Sequence, residues 1–353
     1  MTTGTIRLNG NDVEFEPGQS ILDVARDNGI DIPTLCYLKG ATPTGACRMC
    51  VVEVAGARSL IAACSTPVTD GMEILTDSER VHRARKLNVE LLLASGTHNC
   101  LTCEANGNCR LQDLAYHYGI TDIPFSITPQ PYPTETDNPF IIRDFTRCIL
   151  CGRCVQACNE VVVNRAISYG YRGADSKIVA GTDVPYFESD CVFCGQCVEV
   201  CPVGALVEKK SRYMGRPWDM KKVRTTCPYC GVGCQLWLHI NKEGKIAKVT
   251  AVEDGAPNKG RLCVKGRFAY DFIYSEDRLT TPLIKENGEF REASWDEALD
   301  LVAEKFKELK EIYGPDSIAG VSCARSINED SYQMQKLFRS VIGTNNIDHC
   351  ART

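Results

Sequence analysis

Twenty-one of the 353 residues are cysteine, and these thiols are the groups in the sequence best suited to chemistry. So many cysteines indicate either a secreted disulfide scaffold or metal ligation, and their spacing distinguishes the two. All but two fall into closely spaced groups, which favours metal ligation. The remaining two, Cys323 and Cys350, are interpreted as small buried side chains or as the wall of a site.

One spacing, C-x2-C-x2-C-x3-C, occurs twice between residues 148 and 201, so this region contains an internal repeat. Three thiolates at this spacing wrap one iron–sulfur cube, while the fourth points to the partner cluster. Zinc sites normally combine two C-x2-C pairs across a long spacer, which fits neither copy. Asn159 replaces the Pro expected after the first copy and leaves the ligands intact. The pattern predicts two [4Fe-4S] clusters, one held by Cys148, Cys151, Cys154 and Cys201 and the other by Cys158, Cys191, Cys194 and Cys197.

Another group, Cys36, Cys47, Cys50 and Cys64, has the spacing C-x10-C-x2-C-x13-C. Its first gap is longer than in plant-type [2Fe-2S] proteins, so zinc remains an alternative on spacing alone. The hairpin and helix predicted before these cysteines favour a [2Fe-2S] cluster.

Three more cysteines, Cys100, Cys103 and Cys109, lie in "HNCLTCEANGNCRLQD". Three thiolates need a fourth ligand, and the neutral imidazole of His98 is the only nearby candidate. The alternative is that His98 is free and that the fourth position is filled otherwise or the cluster is altered.

The last group, Cys227, Cys230, Cys234 and Cys263, combines three close thiols with one from a distant loop. These four can enclose a further cube. The sequence therefore predicts one [2Fe-2S] and four [4Fe-4S] clusters in total.

Composition and the absence of certain segments limit the class of protein. The formal net charge of -5 argues against a nucleic-acid-binding surface. The first residues, "MTTGTIRLNGNDVEF", show no export signal, and no apolar stretch approaches the length of a membrane span. We expect a cytoplasmic chain, in which thiols stay reduced.

The cysteine groups are separated by recognisable elements. Residues 5 to 16 alternate around an Asn-Gly turn as a hairpin, and Ser20 with Asp23 predicts the start of a short helix. Residues 78 to 119 are predicted to be mainly helical, and a proline-rich connector follows. The basic residues 208 to 224 are interpreted as a solvated linker, with a docking strip as the alternative. "SWDEALDLVAEKFKELKEIYG" predicts a capped helix, and "SIAGVSCA" a buried strand followed by a helix, which together begin an α/β layer.

Two resemblances follow from these motifs. The cysteine groups at 36–64 and 100–109 resemble the large iron–sulfur subunit of respiratory complex I, although that family has its His at position 96, where this chain has Gly96. "CPYCGVGCQL", "PNKGRLCVKGR", "SWDEAL" and "NNIDHCAR" resemble the N-terminal part of molybdenum or tungsten formate dehydrogenases of the bis-pterin superfamily. The whole chain resembles the NAD(P)-linked type of those enzymes.

The resemblance implies an α+β multidomain fold. It contains a β-grasp [2Fe-2S] domain, a helical His/Cys cluster domain, a duplicated ferredoxin domain and the start of a bis-pterin oxidoreductase α/β domain. The predicted boundaries are 1–78 for the [2Fe-2S] domain, 79–119 for the His/Cys domain, 120–139 and 211–222 for linkers, 140–210 for the two-cluster domain, 223–280 for the next [4Fe-4S] domain and 281–353 for the first part of the pterin domain.

The resemblance also implies the function. It predicts oxidation of formate to CO2, or the reverse, at a molybdenum or tungsten bis-molybdopterin guanine dinucleotide in the full-length protein. Electrons would leave through the iron–sulfur clusters to a flavin-bearing NAD(P) subunit, a hydrogenase or ferredoxin. NAD(P) should bind another subunit, because no Gly-rich nucleotide motif occurs here. A non-catalytic electron-transfer subunit and a pterin enzyme acting on nitrate are the alternatives.

Two positions carry further implications of the family. Lys265 would lie between the [4Fe-4S] cluster and a pterin, as a catalytic and cofactor-binding residue, whereas a plain surface lysine is the alternative. In the family, "CAR" and one more residue precede the Cys or selenocysteine that binds the metal. We expect selenocysteine after Cys350-Ala351-Arg352-Thr353, with an arbitrary boundary as the alternative.

Overall fold

The predicted N-terminal hairpin forms one side of a five-stranded mixed sheet in the computed structural model, which describes residues 4–350. The elements are β1 (Gly4–Leu8), β2 (Asn11–Phe15), α1 (Ile21–Asp27), β3 (Val51–Val54), β4 (Ile61–Ala62) and β5 (Glu73–Leu75). The sheet order is β2-β1-β5-β3-β4, and β1 runs parallel to β5 while the other pairs are antiparallel. The predicted capping box is present, because the Ser20 hydroxyl accepts from the Asp23 N–H and the Asp23 carboxylate from the Ser20 N–H.

The apolar residues of this sheet and of α1 form a first core. It is completed by the cysteine loop that follows, and it contains Ile6, Leu8, Ile21, Leu22, Val52, Cys50, Cys64 and Ile74, among others. Cys50 and Cys64 in this core are predicted cluster ligands. Its other residues are stabilised by ordinary hydrophobic packing.

Two helices flank the His/Cys segment. They are α2 (Glu79–Ala94) and α3 (Arg110–His117). The Ser78 hydroxyl caps α2 by accepting from the Val81 N–H. Between these helices the chain forms a loop with a single 3-10 turn, Cys100–Thr102, and this loop carries the predicted ligands. After α3 the proline-rich residues 120–139 contain no helix.

The two-cluster region repeats its backbone as the sequence repeats its cysteines. Its elements are β6 (Ile141–Arg143), α4 (Arg153–Gln156), β7 (Ile167–Gly170), β8 (Lys177–Ala180), α5 (Gln196–Val200) and β9 (Leu206–Glu208). β6 pairs with β9 and β7 with β8, both antiparallel. Leu150 and Phe193 have φ of 51° and 50°, and Gly152 and Gly195 have 77° and 70°, so both copies turn into their short helices alike.

The chain divides into two units, Met1–Met220 with Asn241–Ala247 and Lys221–Ile240 with Lys248–Thr353. The remaining elements are β10 (Lys221–Thr226), β11 (Gln235–Ile240), β12 (Ile246–Ala251), α6 (Val264–Phe268), β13 (Leu283–Glu286), β14 (Glu289–Glu292), α7 (Trp295–Tyr313), β15 (Gly320–Cys323), α8 (Asn328–Lys336) and β16 (Ile347–Cys350). β10, β11 and β12 form a three-stranded sheet, and β13 with β14 forms a hairpin.

The start of an α/β layer lies in the second unit. α7 begins after Ser294, whose hydroxyl accepts from the Glu297 N–H, as the sequence predicts. β15 pairs in parallel with β16, and Ile318, Phe338 and Ile342 form a small core. β15 is less buried than predicted, because β16 alone pairs with it among residues 4–350 and Val321 is 78% exposed. None of the helices in the described residues is both long and apolar enough to cross a bilayer.

Candidate iron–sulfur sites

The four cysteines of the predicted [2Fe-2S] group converge between the sheet and α2. Cys36, Cys50 and Cys64 are buried, and the Cys36 N–H donates to the Cys47 Sγ at 3.4 Å. Hydrogen bonds from the Cys47 and Cys64 thiols lower the pKa of Cys36 to about 2, and one from Cys64 lowers that of Cys50 to about 7. The same hydrogen bonds raise the pKa of the two donors. Such mutual contact of four sulfurs fits an iron–sulfur cluster.

The predicted His/Cys ligands surround one cavity of about 250 Å³ in the first unit. Its lining includes His98, Cys100, Cys103, Cys109 and Arg147. Burial raises the pKa of Cys109 to about 11 and lowers that of His98, which favours the neutral imidazole that binds metals. The Nε2 of His98 lies 3.1 Å from the Leu92 carbonyl oxygen. Because that oxygen can only accept, Nε2 carries the proton and Nδ1 is the acceptor nitrogen.

The absence of a side chain at Gly96 leaves room for the His98 imidazole. A Cβ at position 96 would lie 2.8 Å from the His98 Nε2 and 2.5 Å from the Thr146 carbonyl oxygen. The imidazole therefore occupies the space beside the position at which the resembling family has its own His. This position is compatible with His98 as the ligand in place of a His at position 96, and that role stays a prediction.

Gly96→Ala is expected to displace the His98 ring or the Thr146 backbone and so to remove the cluster assigned to this cavity. Iron analysis should show a loss of about four iron atoms per chain, together with one [4Fe-4S] signal in electron paramagnetic resonance. Thr97→Ala is the matched control, because Thr97 is adjacent and exposed. Full iron content in Gly96→Ala would contradict the ligand role of His98.

The two-cluster region brings together the two sets of thiols that the sequence assigns across the repeat. One cavity of about 30 Å³ has Cys148, Cys151, Cys154 and Cys201 in its lining. Another, of about 20 Å³, has Cys158, Cys191, Cys194 and Cys197 in its lining.

The raised pKa values of the thiols at these cavities show that their thiolate forms need a positive charge nearby. Burial, with a smaller contribution from the neighbouring Cys201, raises the pKa of Cys148 to about 11 and that of Cys151 to about 12. Four buried thiolates therefore need a compensating positive charge, which iron would supply. The donor sets fit two [4Fe-4S] clusters, and this ligation stays a prediction.

The last cysteine group lies in the second unit. The Cys227 N–H donates to the Cys234 carbonyl oxygen at 2.8 Å, and Cys263 immediately precedes α6. Burial raises the pKa of Cys227, and Cys263 and Cys230 add to this. A Cβ at Gly266 would lie 3.3 Å from the Cys227 Sγ, so α6 packs closely on the cysteine loop.

Among residues 4–350, no three His, Cys, Asp or Glu side chains form a group that could hold one metal ion. A cluster, in contrast, spreads its ligands over several iron atoms.

The two cysteines outside the groups, Cys323 and Cys350, face each other in the β15–β16 register. Cys323 is half-buried and Cys350 is exposed, so the expectation of small buried side chains is wrong. Ala351, Arg352 and Thr353, which the selenocysteine expectation concerns, lie outside the described residues.

Comparisons with known families cover most of the chain. The matches are to a 2Fe-2S iron-sulfur cluster binding domain (residues 2–79), the NADH-ubiquinone oxidoreductase-G iron-sulfur binding region (85–124), a 4Fe-4S dicluster domain (147–205), the molybdopterin oxidoreductase Fe4S4 domain (220–275) and molybdopterin oxidoreductase (278–353). The chain therefore carries, in residues 220–353, domains of the molybdopterin oxidoreductase type. Its N-terminal half adds iron–sulfur domains of the NADH-dehydrogenase type.

The curated relatives that match this chain are longer than it is. The "NADPH-Fe(3+) oxidoreductase subunit alpha" of Geobacter sulfurreducens is 39% identical over 99% of this chain and 40% of its own length. "Probable oxidoreductase YjgC" of Bacillus subtilis is 37% identical over 99% of this chain and 39% of its own length. "Putative formate dehydrogenase SA2102" of Staphylococcus aureus is 35% identical over 98% and 39%. The chain thus spans about two fifths of the length of these relatives.

A solved structure of a different enzyme contains a chain that is similar to part of this chain. A chain in the crystal structure of an NAD+-reducing [NiFe]-hydrogenase is 34% identical, with a TM-score of 0.56. The match covers 61% of this chain and 91% of the hydrogenase chain.

A segment interpreted as a solvated linker makes specific contacts with the His/Cys loop. The Arg216 guanidinium donates to the Cys103 and Leu101 carbonyl oxygens at 2.6 and 2.7 Å. A Cβ at Gly107 would lie 2.6 Å from the Trp218 ring, so that ring packs against the loop. The linker interpretation is wrong for these residues, because charge-assisted hydrogen bonds to carbonyl groups hold them in place. The "GRPW" sequence inside the basic run was the available signal.

Proposed function

We propose that the full-length protein oxidises formate to CO2, or reduces CO2 to formate, at a molybdenum or tungsten bis-pterin site. Its electrons leave through one [2Fe-2S] and four [4Fe-4S] clusters to a flavin-bearing NAD(P) subunit or to ferredoxin. The observation that carries the proposal is the combination, in one chain, of NADH-dehydrogenase-type iron–sulfur domains with a molybdopterin oxidoreductase segment. Two relatives that match nearly the whole of this chain carry the name "Putative formate dehydrogenase".

The residues of this chain contribute ligation, insulation and charge. The five thiol groups, with His98, would hold the clusters, and the apolar cores around them exclude water. When bound, the metal and the clusters would supply the redox chemistry, which is two-electron oxidation at the pterin site and one-electron transfer at the clusters. Lys265 supplies a fixed positive charge: its Nζ lies 5.8 Å from the Tyr229 ring centroid, and its charge lowers the pKa of Cys227 against the larger effect of burial.

Lys265→Met is expected to lower the formate-dependent turnover of the full-length enzyme about tenfold, equivalent to roughly 1.4 kcal/mol in the barrier. The reason is that a cation beside the Cys227 group disappears while its ligands remain, so iron content should not change. Lys307→Met on α7 is the control, since Lys307 is exposed. Unchanged turnover in Lys265→Met would identify Lys265 as a surface lysine.

The proposed activity is tested by purifying the full-length complex anaerobically and measuring formate-dependent reduction of a viologen dye. NADPH-dependent reduction of Fe(3+) and nitrate-dependent oxidation of reduced dye are measured on the same sample. Formate-dependent reduction with little response in the other assays supports the proposal. Activity with NADPH and Fe(3+) but none with formate would refute it, and would point to the activity that the Geobacter relative's name describes.

A second candidate is an electron-transfer subunit that performs no substrate chemistry and serves a hydrogenase. It is favoured by the match to the hydrogenase chain, 91% of which is covered. Hydrogen-dependent reduction of NAD(P) by the purified complex, without formate activity and without bound molybdenum or tungsten, would select this candidate.

A further inference from the structure

Arg153 is a buried cation in the middle of the two-cluster region. It is the first residue of α4, between Cys151 and Cys154, and only 8% of it is exposed. Its Nε has no hydrogen-bond partner, and within residues 4–350 no Asp or Glu forms an ion pair with it. A buried guanidinium without a carboxylate partner is costly, and Arg stays protonated in proteins.

The groups that act on Arg153 identify the negative charge it faces. The charges that act on the buried Arg153 guanidinium are those of the Arg110 cation and of the Cys151, Cys201 and Cys36 thiolates. Cys151 and Cys201 belong to one predicted [4Fe-4S] set, and Cys36 belongs to the [2Fe-2S] set. The thiolates whose charges act on Arg153 therefore belong to two different predicted cluster sites.

Hydrogen bonds hold α4 against the loop of the [2Fe-2S] group. The Gln156 Nε2 donates to the Thr42 carbonyl oxygen at 2.7 Å, and the Thr42 N–H donates to the Glu160 carboxylate at 2.7 Å. Thr42 lies between Cys36 and Cys47 in the sequence.

Packing places the same two sites together. Cys36 and Cys151 share one buried apolar core, in which their neighbours include Leu35, Met49, Ile149 and Val203. α4, which begins at Arg153, is thus held against the loop of the [2Fe-2S] group, beside a core that contains thiols of both sets.

We propose that Arg153 is a positioning residue shared by two clusters: its charge stabilises the reduced form of both the Cys36 cluster and the Cys148 cluster. A reduced cluster carries one more negative charge, so a fixed nearby cation raises its reduction potential. One residue then sets the potentials of two neighbouring sites together. The inference rests on the proposed cluster ligation and not on formate as the substrate.

The test compares Arg153→Gln with Arg153→Lys in the full-length protein by redox titration followed by electron paramagnetic resonance. In Arg153→Gln the ratio of reduced to oxidised cluster at fixed potential should fall about tenfold for the [2Fe-2S] and for one [4Fe-4S], which is 59 mV for a one-electron couple. Arg153→Lys retains the charge and should recover most of both shifts. Arg172→Gln, which removes an exposed arginine, should leave all potentials unchanged.

Each other outcome has a defined meaning. Unshifted potentials in Arg153→Gln, a shift at one cluster alone, or equal shifts in the Lys and Gln variants would overturn the proposal. Loss of clusters in both variants would show a structural role and also overturn it, whereas loss in Gln with retention in Lys supports the charge. Absence of these signals from the wild-type protein would instead refute the cluster assignment underlying the proposed function.

Discussion

Cys158→Ser is expected to remove the [4Fe-4S] cluster assigned to Cys191, Cys194 and Cys197, and to leave the cluster of its own sequence triple intact. The reason is that the cavity containing Cys158 has the three later thiols in its lining, whereas Cys148, Cys151 and Cys154 line the other with Cys201. A serine hydroxyl is a poor replacement for a thiolate ligand. Iron analysis should show about four fewer iron atoms per chain.

Identifying which cluster is lost requires matched variants. The electron paramagnetic resonance spectrum of Cys158→Ser should match that of Cys194→Ser and differ from that of Cys151→Ser. Cys323→Ser is the control, because Cys323 is assigned to no cluster. A spectrum of Cys158→Ser that matches Cys151→Ser would show that each triple uses its own fourth cysteine.

Removing iron with a chelator under reducing conditions is expected to unfold one core of the first unit and spare another. The core shared by Cys36 and Cys151 also packs against Cys47, Cys109, Cys148 and Cys201, so predicted ligands form much of it. Without iron, this core would bury thiols around cavities, including the one of about 250 Å³. Amide hydrogen exchange should therefore lose its protection in α3 and α4.

The first core provides the internal control for this experiment. Apart from Cys50 and Cys64, its buried residues are not ligands, and β1, β2 and α1 supply many of them. Amides of these elements should remain protected after iron is removed. Retained protection of α3 and α4 in the iron-free protein would contradict a dependence of that core on the clusters.

Local sequence was sufficient for the elements whose signals lie within a few residues. The Ser20–Asp23 capping box, the Ser294 cap and the hairpin at residues 5 to 16 form as predicted, because each depends on hydrogen bonds between near neighbours. The α+β multidomain fold class, which the family resemblance implied, agrees with the family matches. The cysteine spacing identified the residue groups that the structure brings together.

Contacts between residues distant in sequence required the tertiary structure. Arg216 reads as part of a charged linker until the fold brings it to the Cys103 carbonyl oxygen, more than a hundred positions away. Arg153 reads as one more residue of a cysteine repeat until the fold brings it close enough to Cys36, as well as to Cys151, for their charges to interact. Spacing reports which thiols share a turn of chain. Which cation faces them depends on burial and on partners from other segments, and these exist only in the folded chain.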